Sequence, residues 1–63
     1  MSRKELAMVF VIARAWMLFG SESPFSKEMI DGAKHIASQA NDSPTRSEQA
    51  ECVAYIKAEM ARG

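Results

Sequence analysis

Cys52 and His35 are the side chains in this 63-residue chain best suited to nucleophilic or base chemistry, and each is the only one of its kind. A thiolate beside an imidazole makes a competent catalytic pair when a neighbour tunes its pKa and a donor receives the developing charge. Helical spacing argues against that pair. His35 falls on the polar side of its helix and Cys52 on the apolar side of the next, which reads them as a solvated residue and a small buried hydrophobe. Glu48, Glu51 and Glu59 line one side of a helix, but a metal centre needs convergent ligands and the histidine lies on another segment. Gly20, Gly32 and Gly63 are isolated, so no glycine-rich loop is available to cradle a phosphate. The expectation is a protein that is not an enzyme and uses no metal or cofactor.

One surface feature does suggest recognition. Tyr55 falls away from the apolar stripe of its helix, with Glu51 and Glu59 one turn to either side. An exposed aromatic framed by charge is typical of an interface anchor, so Tyr55, Glu51 and Glu59 are candidate partner-binding residues. The alternative is a ring laid along the bundle with only its hydroxyl wet.

The elements that hold these residues follow from local signals. Ser2 and Glu5 form a capping-box pattern that starts a first helix, and Gly20 with Ser21-Glu22-Ser23-Pro24 ends it. Ser23 as N-cap and Pro24 as first helical residue predict a second start. In that helix Phe25, Met29, Ala33, Ile36 and Ala40 share a stripe opposite Lys27, Glu28, Asp31, Lys34, His35, Ser38 and Gln39. Gly32 interrupts it and predicts either a close helix contact or a break. Asn41-Asp42-Ser43-Pro44 is a turn, and Thr45 with Glu48 is another capping box. The third helix carries Cys52, Val53, Ile56 and Met60 toward the core, beside an alanine ridge of Ala50, Ala54 and Ala61 that would let a neighbour approach closely. The fold class is all-α, a three-helix mini-domain over about 3–19, 24–40 and 45–61, with residues 1–63 forming a single helical domain.

The first helix is apolar on two sides. On a helical wheel Leu6, Val9, Phe10, Ala13, Trp16 and Met17 separate from Met8, Val11, Ile12, Ala15, Leu18 and Phe19, with Ala7 and Arg14 along the edge between them. A chain this short buries little of its surface and needs outside help, and with one cysteine and one histidine the remaining staple is self-association. The sequence therefore predicts a homodimer through Met8, Val11, Ile12, Ala15, Leu18 and Phe19. The competing reading makes the first helix the centre of a compact fold, covered on both sides by the other two. In either case Arg14 should reach water or an acidic partner.

Charge and hydropathy narrow the partner. Eight Lys and Arg balance eight Asp and Glu, so no general positive field favours phosphate, which disfavours nucleic acid. A helix-turn-helix variant reading DNA would have only Arg46, Ser47 and Gln49 to present, next to Glu48 and Glu51. The Leu6–Phe19 run contains Arg14 and falls short of the roughly 20 apolar residues a membrane span needs. It also lacks the strongly charged face of a membrane-surface helix. Glu5 in the basic opening and Arg14 at a would-be cleavage point argue against a secretory leader. A single cysteine fits a reducing compartment, so a cytoplasmic location is expected. The functional expectation is a protein–protein interaction module, a small inhibitor, adaptor or regulator of a larger protein, of the kind phages and mobile elements often encode. DNA binding and membrane-surface binding are the alternatives.

Overall fold

The computed structural model describes residues 1–63 and is all-helical, with no strand and four α-helices rather than three. They are α1 (Arg3–Ala13), α2 (Ala15–Phe19), α3 (Lys27–Gln39) and α4 (Arg46–Arg62), with a 3₁₀ turn at Gly20–Glu22. The expected first helix is divided at Arg14, whose backbone (φ −104°, ψ 16°) closes α1 and opens α2. Its N–H is shared between the carbonyls of Phe10 and Val11, and its own carbonyl accepts from both Met17 and Leu18. The ladder tightens for one residue without being lost, as mixed three- and four-residue bonding allows at helix junctions.

Three serine and threonine caps set the starts. The Ser2 hydroxyl accepts from the Glu5 N–H at 3.1 Å, although Glu5 makes no side-chain bond in return. Thr45 and Glu48 form the complete reciprocal box, at 2.8 and 3.1 Å. The start of α3 differs from expectation: its N-cap is Ser26, which accepts from Met29. Ser23 instead bonds the N–H of Phe25 in a local turn, which leaves Pro24 and Phe25 ahead of the helix.

Gly20 has φ +60° and ψ −141°, a region that only glycine enters without strain. Gly32, by contrast, neither breaks α3 nor marks a close contact. The helix runs through it, and a Cβ built there would meet nothing.

The dominant packing is of α1 against α3 and of α1 against α4, and α3 and α4 make no comparable contact with each other. Within the chain, α1 is thus the central helix, flanked by α3 and α4. Leu6, Ala7, Val11 and Ala15 meet Ile30 and Ala33 of α3 and Ile56 of α4 in the core, and Pro44 is also buried. The C-terminal end of α3 returns to the beginning of α1, where Gln39 to Asp42 lie beside Arg3 and Leu6. Ala7, expected along an open edge, is buried facing the start of α4, at a depression it lines with Arg3, Lys4, Glu48 and Cys52. The small residues that admit neighbouring helices are thus Ala7, Ala15 and Ala33. Ala50, Ala54 and Ala61 face solvent. No helix is long and apolar enough to cross a membrane.

Candidate functional site

Cys52 is half-buried on α4 in a cleft shared with Lys4, Met8, Glu51 and Tyr55. Burial pushes its thiol pKa up, and the neighbouring Glu51 and Glu48 charges add to the effect, so the uncharged thiol is favoured. His35 is exposed on α3, which packs on α1 separately from α4, and it does not line the Cys52 cleft. The thiol and imidazole are not brought together. No group of three His, Cys, Asp or Glu side chains converges closely enough to hold a metal ion.

The three carboxylates read as one row have separate roles. Glu48 is structural: it closes the Thr45 box and takes two hydrogen bonds from the Arg3 guanidinium, at 2.7 and 3.0 Å. Arg3 also pairs with Asp42 and donates to the Ser43 carbonyl at 3.4 Å. The Arg3 bonds, with the Thr45 N–H, hold the Glu48 pKa down at about 2. The Ser43 N–H, and then Arg3, lower that of Asp42. Nothing in the spacing of Arg3, Asp42 and Glu48 announces this cluster, because their meeting depends on how α1 and α4 dock.

Glu51 borders the Cys52 cleft, and Glu59 accepts from Arg62 at 3.2 Å while edging a second depression lined by Met8, Pro24, Phe25, Ile56 and Met60. Tyr55 stands between the two depressions and is 61% exposed. It thus borders the seam of α1 and α4 rather than the far side of α4, with more than its hydroxyl in water. The residues a DNA-reading helix would use are divided. Arg46 and Ser47 are exposed, whereas Gln49 donates to the Pro44 carbonyl at 3.3 Å and accepts from Arg14 at 3.4 Å.

The expected dimer face is split by the fold. Val11 and Ala15 have no accessible surface within the chain, whose own helices cover that part of the face. Met8, Ile12 and Phe19 are half-buried, and the Phe19 ring lies 6.4 Å from that of Phe25. Leu18 is exposed. The side chains left most open in this region are Trp16, at 53%, and Met17, at 85%, which the helical wheel had grouped with the other face. Ala15, also beyond Arg14, stays in the core with Val11 as the wheel groups them, whereas Val9, Phe10 and Ala13, which share the wheel face of Trp16 and Met17, are half-buried. Arg14 is the only charge inside the apolar run. It is exposed and bonds the neutral amide of Gln49.

Among known proteins, no family model matches this chain, and no curated protein or solved structure matches it.

Proposed function

We propose that this chain is a non-enzymatic protein–protein interaction module, a small inhibitor, adaptor or regulator that acts by covering a surface of a larger protein. The observation that carries this reading is an inversion of size between inside and outside. The largest fully buried side chains are Ile30 and Val11, while Trp16, Met17 and Tyr55 are exposed. Enclosing one large aromatic side chain removes about 150–250 Å² from water, worth several kcal/mol at about 25 cal/mol per Å². A chain that leaves its tryptophan and tyrosine outside holds that gain for association, where these residue types dominate binding energy.

On α4, Tyr55 would act as the anchor, with Glu51 and Glu59 selecting a partner that offers basic groups at the rim. Host extract passed over the immobilised chain tests the reading against Tyr55→Ala and a Glu51→Lys/Glu59→Lys pair. The expected result is a discrete protein retained by the parent chain, with affinity lowered about 30-fold by Tyr55→Ala, the scale of a hot-spot residue. Equal retention by parent and variants, or no retained protein, would count against it.

A further inference from the structure

We infer that an outward face of α3 pairs with a second copy of this chain, the two helices crossing antiparallel at Gly32 so that Met29 of each packs on Ile36 of the other and Glu28 of each meets His35 of the other. The proposal goes beyond the interaction-module reading, since it uses a different helix and a different partner. α3 is continuous from Lys27 to Gln39, so its 3.6 residues per turn fix which side chains share a face. Ile30 and Ala33 are buried on the side that packs on α1. Next to them Met29, Gly32 and Ile36 lie within about 60° of one another around the axis. All three are exposed, Met29 at 51% and Ile36 at 43%.

Nothing inside the chain requires the glycine. It weakens a helix interior relative to alanine, its φ is not positive, and a Cβ built there would meet nothing. A glycine in an apolar stripe does let a second helix backbone come close, and the separation of packed helices is set by the side chains at their contact. Symmetry and charge then name the occupant. A two-fold contact requires that where residue i meets j, j meets i. About Gly32 the face is balanced: Met29 and Ile36 stand one turn to either side within the stripe, and Glu28 and His35 one turn to either side along its outer flank. Antiparallel crossing brings the same flank of both helices together, so an imidazole N–H of His35 can donate to the Glu28 carboxylate of the other copy, and the pair forms twice. Glu28 and His35 are both exposed, and neither belongs to an ion pair within the chain. The absence of net charge leaves no overall repulsion between copies.

Sedimentation equilibrium of the full chain tests the pairing, with circular dichroism confirming that every variant is folded. The parent should move from 7.0 kDa at about 10 µM toward twice that mass at about 500 µM, by mass action. Gly32→Leu enlarges the apolar stripe but holds the two backbones apart, and should weaken association about tenfold. His35→Glu sets like charges against Glu28 and should weaken it about fivefold, and adding Glu28→Lys should restore it. Residues 28 and 35 are two turns apart on α3, so the rescue cannot arise within one helix. A parent that stays monomeric throughout, a Gly32→Leu chain that associates as well or better, or a double exchange that fails to restore pairing would each overturn the proposal. Association lost in Tyr55→Ala would also overturn it by placing the contact on α4. So would a monomeric parent that sediments with phosphatidylglycerol vesicles, which would assign the face to a lipid surface. A strictly monomeric chain that still retains a protein through Tyr55 leaves the interaction-module reading standing, so the two failures are distinguishable.

Discussion

At the start of α1, Arg3 bonds Glu48, Asp42 and the Ser43 carbonyl, so the first helix, the α3–α4 turn and the first turn of α4 are fastened at one point. Beyond the other end of α1, α2 keeps Trp16, Met17 and Leu18 in water, held by the tightened junction at Arg14 and by the packing of Phe19 on Phe25. The polar end is closed and the apolar end is open, the reverse of what burial of apolar area alone would produce. The contrast separates two tasks. Caps and ion pairs fix the geometry at one end, and large apolar side chains stand exposed at the other.

The comparison breaks first at the caps. Thr45→Ala removes the hydroxyl that receives the Glu48 N–H and should cost about 0.5–2 kcal/mol. In thermal unfolding that corresponds to a Tm lower by about 4–8 °C for each kcal/mol. Gly32→Ala, within α3 and away from both ends, should add about 0.8–1 kcal/mol, because the methyl group enters open space in a continuous helix. Urea titration would show it as a higher midpoint with an unchanged slope.

The Arg3 cluster predicts a smaller, pH-dependent effect. The folded pKa values of Glu48 and Asp42 lie below their ordinary values of 4.5 and 3.8. Their contribution is therefore fully present above those ordinary values, and that of Glu48 is lost as the pH falls through about 2. Both groups are exposed to solvent screening, so the loss should be modest. Glu48→Gln, which can keep the capping reach without the charge, should flatten this acid limb in denaturation curves collected from pH 5 to pH 2. An unchanged limb would mean that Arg3 does not hold the carboxylate in solution. The smallest effect belongs to the open end. At micromolar concentration Trp16→Ala should alter urea stability by no more than about 0.5 kcal/mol, despite removing the largest side chain in the protein. A much larger loss would show that the indole is packed inside the fold.

What the sequence made legible follows the range of the forces involved. Caps depend on residues three apart, so Ser2, Thr45 with Glu48, and the turn before Pro44 could all be read directly, and so could the polar face of α3. The choice between Ser23 and Ser26 could not, because both serines make good local bonds and the position of Phe25 near Phe19 depends on the docked helices. The Arg3 cluster joins residues about 40 positions apart and has no periodic signature. Which face of the first helix is covered was not legible either: both are apolar, and the burial of Val11 and Ala15 with the exposure of Trp16 and Met17 depends on how α3 and α4 dock. The residues proposed for recognition were legible only as types, an aromatic between two carboxylates. Their position on the α1–α4 seam came from tertiary packing.

Because α1 alone touches both α3 and α4, it is the shared wall of two small compartments that have little direct contact. Release of either outer helix would uncover one side of α1. The slowest amide exchange should therefore fall in the middle of α1, around Val11, where release requires both compartments to come apart.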